Sequence, residues 1–351
     1  MKILVRATNW VGDAVMSIPA LQITRGRWPK AEIAILARPW VAELYRDQGY
    51  ADRTIVFDHT GRHRGIFGLE RLAGELRREG FGTALLFQNA FEAAWIARRA
   101  GIPERIGYAR DARAWLLTRA VPVPQRGEIP AHESYYYLEL LRRAGWLAYL
   151  PEVDEVKLKV SVAAAESAES ALRKAGIRSR THTVPRIALA PGAAYGSAKC
   201  WPAERYASLA GRLIADFDAD VIIFGAASER DVAQRIAGAM RHGVVNLAGE
   251  TRIGELPALL AACDLFIGND SGAMHVAAAV GLPVVAVFGP TDPGGTSPLA
   301  ARLALVQEGV SCSPCFLRHC PVDHRCMTRI EVERVYEAAR EWLTRSANPV
   351  A

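Results

Sequence analysis

The chain has 351 residues, of which half are hydrophobic and 23% charged, enough apolar material for roughly two globular domains and far from the profile of a disordered protein. Its formal charge of +6 is unevenly placed: residues 1–150 hold 22 Lys and Arg against 15 Asp and Glu, whereas the remainder holds 21 against 22. Arg6 interrupts the first apolar run and no later run approaches the ~18 residues that cross a bilayer, so a cytoplasmic protein, at most peripheral to a membrane, is expected.

Taken in order, apolar runs at Lys2–Arg6, Ile33–Ala37, Thr54–Phe57 and Ala84–Phe87 alternate with helix-capable segments such as Leu69–Glu79 and Phe91–Arg99. Alternation of this kind predicts a parallel sheet covered by helices on both faces. An amphipathic helix near Tyr135–Ala144 and a polar, Ala-rich helix near Val162–Lys174 follow. The pattern then resumes with strands at Ile187–Ala190, Val221–Phe224, Val244–Leu247, Leu265–Ile267, Val284–Phe288 and Leu303–Val306, and a helix near Ile330–Leu343 closes it. The fold class expected is α/β, with two Rossmann-like doubly wound domains: residues 1–160, a linker region at 161–185, and residues 186–328, followed by a terminal helix at 329–345. Two such domains facing each other across a cleft would gather ligands at the carboxyl ends of their strands.

The first strand runs into Ala7-Thr-Asn-Trp-Val-Gly-Asp13, where only Gly12 stands in for the three glycines of a dinucleotide fingerprint, which disfavours a nicotinamide or flavin enzyme. Asp13 is placed as a general base would be, or as an ordinary helix-start acid. In the second half, Pro191-Gly-Ala-Ala-Tyr-Gly-Ser-Ala-Lys199 lacks the Gly-Lys-Ser/Thr ending of a kinase phosphate loop. Lys199 could still reach an anion, with Ser197 as a hydroxyl donor. Ser228 and Glu229 follow a parallel strand, where a carboxylate can take ribose hydroxyls, and Leu247, Gly249 and Thr251 could wall a base pocket. The stretch Leu265–Gly281 reads as strand, polar corner and Ala-rich helix. Asp270, Ser271 and Gly272 would aim unpaired amides and the positive helix end at a phosphate, unless the corner is only a capped turn; His275 lies one turn on. Cys312, Cys315, Cys320 and Cys326 could hold a structural Zn²⁺, although their spacing is tighter than the usual two-knuckle pattern; reduced thiols packing a loop are the alternative.

Asn9–Met16, Pro191–Pro202, Asn246–Thr251, Asn269–His275 and Phe288–Thr291 together resemble the ADP-heptose-dependent lipopolysaccharide heptosyltransferases of glycosyltransferase family 9, and most of all those that add the second inner-core heptose. The resemblance covers nearly the whole chain. It implies a GT-B fold with the acceptor on the first domain, the nucleotide sugar on the second, and the last helix packing back toward the first. It implies inverting transfer of L-glycero-D-manno-heptose from ADP-heptose to heptosyl-Kdo2-lipid A at the cytoplasmic face of the bacterial inner membrane. By position it makes Asp13 the base and Lys199 the diphosphate ligand, and it assigns Asp270, Ser271 and Gly272 to the donor-site turn.

The basic first half then suits an anionic acceptor, with Asn89, Arg62, Arg64, Arg110 and Arg113 as candidate contacts. No Asp-x-Asp pair stands at a strand end, and Lys199 with the helix amides could carry the leaving-group charge, so no catalytic metal or other cofactor is expected. Two alternatives remain at this point: another GT-B transferase, with a different heptose position or donor, and a non-enzymatic nucleic-acid-binding protein. No nucleic-acid motif supports the second.

Overall fold

The structure, a computed structural model, describes residues 1–180, 184–240 and 242–347. It contains two compact units, Met1–Val153 and Asp154–Ala351, each built on one six-stranded, all-parallel sheet. The first sheet comprises β1 (Lys2–Arg6), β2 (Glu32–Ala37), β3 (Arg53–Val56), β4 (Thr83–Leu86), β5 (Glu104–Tyr108) and β6 (Arg119–Val121), ordered β3-β2-β1-β4-β5-β6. The second comprises β7 (Arg186–Ala190), β8 (Asp220–Ile223), β9 (Val244–Asn246), β10 (Leu265–Asn269), β11 (Val284–Phe288) and β12 (Leu303–Gln307), ordered β12-β11-β10-β7-β8-β9.

The apolar character of the central strands follows from this topology. A parallel strand between two helical layers buries both faces, so it reads as a continuous apolar run. Ile3, Leu4 and Val5 of β1 are buried, as is every residue of β10 and β11. At ~1.5–3 kcal/mol for each fully buried large aliphatic side chain, these runs dominate the stability of each sheet. The helices between them have ordinary punctuation. Helix Gly65–Glu79 ends at Gly80 with φ 70°, the left-handed conformation that glycine adopts without a Cβ penalty. Helix Val162–Lys174 starts at Ser161, whose side chain accepts from Ala164 N at 3.2 Å.

Two strands are absent from the sequence expectation, β5 and β6. Their sequences, Glu-Arg-Ile-Gly-Tyr and Arg-Ala-Val, are short and charged because they lie toward one edge of the sheet, where burial is incomplete.

The domain limits also differ. Helix Val162–Lys174, expected in a linker at 161–185, packs against helix Leu256–Ala261 inside the second unit. Buried Arg186 fastens it there, bonding Glu169 Oε1 at 2.6 Å, Ala262 O at 3.3 Å and Arg178 O at 2.8 Å. Residues 181–183 of that expected linker lie outside the described residues. The last helix, Val332–Ala347, expected to pack back toward the first domain, places Val335, Tyr336, Ala339 and Leu343 in the core of the second unit. Its apolar stripe is answered there by the helix Ala203–Phe217 and by β10–β12.

Candidate active site

In the second sheet the chain leaves β7 toward β8 on one side and later returns to β10 on the other, so the point where the strand order reverses lies between β7 and β10. Doubly wound sheets bind ligands outside the carboxyl ends of such strands. The loop after β7 carries Lys199, and the turn after β10 carries Asp270 and Ser271. They meet: Lys199 Nζ donates to Asp270 Oδ2 at 2.5 Å, and Thr291 Oγ1, just past β11, donates to the same oxygen at 2.6 Å. Asp270 is buried and Lys199 nearly so. Breaking so enclosed a pair would cost ~3–5 kcal/mol, because the remaining charge has no water to turn to.

Asn269 supplies the frame. Its Oδ1 accepts from Trp201 N and Tyr206 Oη, both at 3.0 Å, and its Nδ2 donates to Pro191 O at 2.7 Å, which ties the end of β10 to the loop that presents Lys199.

Ser271 precedes helix Gly272–Ala279 in extended conformation, as an N-cap residue does, yet its hydroxyl caps nothing. Among the described residues Ser271 Oγ is a buried polar atom without a hydrogen-bond partner. With the first-turn amides at Gly272, Ala273 and Met274 unclaimed within the helix, the corner is chemically suited to an anion. His275 is buried in the same helix, one turn on.

Glu229 lies against the backbone that follows β7. Its Oε2 accepts from Ala226 N at 2.7 Å. A Cβ on Gly192 would fall 2.0 Å from the Glu229 carboxyl, and one on Gly225 would fall 2.9 Å from it. The carboxyl therefore rests on the bare backbone after β7 and β8, where burial raises its pKa against the lowering effect of the Ala226 amide. Ser228 is exposed beside it. The Leu247–Thr251 turn is held by Leu247 N to Ile223 O and Gly249 N to Gly225 O, both at 2.8 Å. Gly249 has φ 75°, and a Cβ there would meet Ala227 Cα at 2.8 Å, so both conformation and space require glycine.

Ser197 is exposed and shares a 3.0 Å hydrogen bond with His319 Nδ1. That contact belongs to a larger one, in which the cysteine segment closes over the Lys199 loop. Ala198 N donates to Arg318 O at 3.0 Å, Tyr195 Oη to Phe316 O at 2.7 Å, and His324 Nε2 lies 2.7 Å from Ala198 O. Gly196 permits the approach, since a Cβ there would sit 2.3 Å from Arg318 O. The zinc expectation is not met by this arrangement. Cys312 and Cys315 are exposed, Cys320 is half-buried and Cys326 is buried; all are free thiols. Among the described residues no group of three or more His, Cys, Asp or Glu is assembled to hold a metal ion. Cys326 packs in the core of the second unit, whereas Cys312 and Cys315 are exposed.

In the first unit, the strand order reverses between β1 and β4. Asp13 lies in the first turn of helix Val11–Met16, just after β1, half-buried. That helix packs against helix Glu133–Arg143, whose first residue is a second acid. Burial foremost, and then the charge of Asp13, push the Glu133 carboxyl up to about 7. Sequence reasoning missed Glu133; the only signal was an acid directly after the capping His132, whose Nδ1 accepts from Ser134 N at 3.2 Å.

The expected acceptor contacts fare unevenly. Asn89 follows β4 and donates to Tyr136 Oη at 3.0 Å, and Arg110 approaches the same hydroxyl at 3.5 Å. Arg113 is fully buried: Nε donates to Tyr108 O at 3.0 Å, Nη2 to Asn89 Oδ1 at 3.0 Å, and Nη1 to Gln88 O. Its guanidinium stitches the loops after β4 and β5 together, and burial brings its pKa down to about 10. Every nitrogen is engaged with the protein, so Arg113 is a loop brace rather than an open anion contact. Arg62 pairs with Glu75, whereas Arg64 is exposed.

Comparison with known proteins fits these features. Residues 69–325, well over half of the chain, match the family described as glycosyltransferase family 9 (heptosyltransferase). The chain belongs to this family. It is 32% identical over 311 residues to lipopolysaccharide heptosyltransferase 2 of Escherichia coli K12, covering 88% of each protein. It is 30% identical over 318 residues to lipooligosaccharide heptosyltransferase 2 of Haemophilus influenzae, again covering 88% of each. The solved structure of E. coli ADP-heptose lps heptosyltransferase II superposes with a TM-score of 0.82 at 29% identity, over 98% of this chain and 99% of that one. Membership makes the protein a glycosyltransferase enzyme, and its two Rossmann-like sheets are those of the GT-B class.

Proposed function

We propose that the enzyme transfers L-glycero-D-manno-heptose from ADP-heptose to heptosyl-Kdo2-lipid A, with inversion at the anomeric carbon. The observation that carries this reading is the corner at the β7–β10 reversal: Lys199 on Asp270, beside an unpartnered Ser271 hydroxyl and a helix start. A diphosphate offers the negative charge and the acceptor oxygens that this corner lacks. Glu229, lying on the Gly192 and Gly225 backbones, is suited to the ribose hydroxyls, with Ser197, Ser228, His275 and the Leu247–Thr251 turn as further donor contacts.

Asp13 removes the proton from the acceptor heptose hydroxyl as that oxygen attacks the anomeric carbon opposite the departing ADP. The charge developing on ADP is met by Lys199 and the first-turn amides of helix Gly272–Ala279, which are fixed before reaction and need no divalent cation. Arg62, Arg64, Arg110 and Asn89 face the anionic acceptor. Among the described residues no helix is long and apolar enough to cross a membrane, and the reading has the enzyme meet its lipid-borne acceptor at a membrane surface.

Single-turnover transfer from ADP-heptose to heptosyl-Kdo2-lipid A in EDTA tests the reading, comparing wild type with Asp13→Asn. Transfer by wild type, lost in the variant while ADP-heptose affinity is retained, is the expected result. Inactive wild type that still binds ADP-heptose would show the acceptor to be wrong, and full activity in Asp13→Asn would place the base elsewhere.

A further inference from the structure

The first unit exposes large apolar side chains that neither its core nor the proposed chemistry uses. Ile66 and Phe67, in the first turn of helix Gly65–Glu79, are 61% and 86% exposed. Trp115 is 64% exposed, with its ring 6.2 Å from that of Phe91, which opens helix Phe91–Arg99. Arg98, seven residues after Phe91 and therefore on the same helix face, stands over the Trp115 ring at 5.5 Å.

The helices that carry Ile66 with Phe67 and Phe91 pack against each other. Arg99, at the end of its helix, forms a bidentate pair with Glu70, at 2.7 and 3.0 Å, and its carbonyl accepts from Arg77, so it lies beside the middle of helix Gly65–Glu79. Both helices begin at the carboxyl edge of the sheet, leading from β3 to β4 and from β4 to β5. Eight residues back at a rise of about 1.5 Å each, Phe91 is level with the first turn that holds Ile66 and Phe67. Arg64 directly precedes that turn, exposed and, among the described residues, without an ion-pair partner.

We propose that Ile66, Phe67, Phe91 and Trp115, with Arg64 and Arg98, form a docking surface for an anionic phospholipid bilayer. The inference rests on the lipid-borne acceptor proposed above, which places the reaction at a membrane. The chemistry of the surface is that of an interfacial anchor: aromatic and branched apolar tips that enter the headgroup boundary, flanked by guanidinium groups that meet lipid phosphates. A protein partner would need carboxylates matched to two separate arginines around a narrow apolar ridge. A bilayer supplies a continuous anionic plane with an apolar interior, and the excess positive charge of residues 1–150 complements it over a wider area. Neither apolar tips nor cations alone anchor a protein stably, and here the two signals adjoin.

The test is co-sedimentation of the full chain with acceptor-free vesicles, of phosphatidylcholine mixed with phosphatidylglycerol or of phosphatidylcholine alone. Wild type should partition onto the anionic vesicles and lose that binding as salt rises. The double variant Ile66→Ser/Phe67→Ser should weaken it by roughly tenfold or more, and Arg64→Gln or Arg98→Gln by roughly fivefold each. All four positions are exposed, so melting temperatures should stay near that of wild type; Phe91→Ser with Trp115→Ser gives a second apolar variant with the same expected loss.

Equal binding to both vesicle types, no binding to either, or wild-type binding by both serine variants would overturn the proposal. So would binding that appears only when the acceptor glycolipid is added, which would make the surface a headgroup site. Transfer to the deacylated, water-soluble acceptor should be unchanged in Ile66→Ser/Phe67→Ser, and a loss there would also overturn it. Failure of wild type on that acceptor would count against the proposed acceptor alone, because vesicle binding is read without it.

Discussion

The two sheets are the same scaffold with different chemistry at the same address. In each, the strand order reverses beside the first strand of the unit, between β1 and β4 or between β7 and β10. In the second unit that address is closed by paired charges, with Lys199 on Asp270 and Thr291 bracing the carboxylate. In the first it holds two acids, Asp13 and Glu133, and the charge of Asp13 adds to burial in raising the Glu133 carboxyl. Enclosed paired charges at a strand end suit anion binding, whereas a carboxyl raised to about 7 beside a second acid can exchange a proton near neutral pH. One scaffold thus carries paired charges at one strand-order reversal and neighbouring acids at the other.

The largest expected effect breaks the acidic address. Asp13→Asn should lower kcat by ~10²–10⁴ while leaving ADP-heptose affinity within about twofold, measured by single-turnover transfer beside calorimetric titration. Next comes the paired address. Lys199→Met should cost ~10²–10³ in kcat/KM and, because Asp270 remains buried, ~3–5 kcal/mol of stability in urea denaturation. If Lys199→Met retains full stability, the enclosure of the pair has been overrated.

Thr291→Val sharpens the same point. Removing one hydrogen bond to the buried carboxylate should destabilise by ~1.5–3 kcal/mol, with a smaller loss in donor affinity than Lys199→Met.

The mildest effect is a pH dependence. Glu133 has a folded pKa of about 7 against an ordinary value of 4.5, so between these the folded state holds a proton that the unfolded state releases. The stability associated with that proton is full below about 4.5 and is lost as pH rises toward 7. Glu133→Gln cannot ionise, so its melting temperature should gain on wild type across that window and stay level above it. Parallel melting curves for the two proteins at all pH values would remove Glu133 from the acid pair.

How much of this was legible in the chain depended on the kind of residue. The central strands of the second sheet could be read because helices cover both faces, which favours the apolar runs of β7, β8, β10 and β11. β5 and β6 could not, since Arg119 lies on the edge strand and Glu104 and Arg105 begin β5 ahead of its pairing with β6, positions defined only once the sheet is assembled. Lys199 and the Asp270–Gly272 corner could be read as lying at strand ends. Thr291 was visible only within a longer motif, without a role.

Arg113 shows the opposite error. A basic residue in a polar loop looked open to a ligand, yet the loops after β4 and β5 bury it completely. The four clustered cysteines left zinc and reduced thiols open in the sequence, and among the described residues no group of three or more His, Cys, Asp or Glu is assembled to hold a metal ion.

The sequence by itself determined the local features: which runs are strands, where small residues open the backbone, and which charged groups end up at carboxyl edges. These follow from periodicity and turn chemistry, which act over a few residues. Only the tertiary structure decided the partners. Lys199 is 71 residues from Asp270 and Arg113 is 24 from Asn89. Asp13 comes within electrostatic reach of Glu133 only because their two helices pack together. Charge state, burial and pairing are properties of distance in space, and chain folding is what sets that distance.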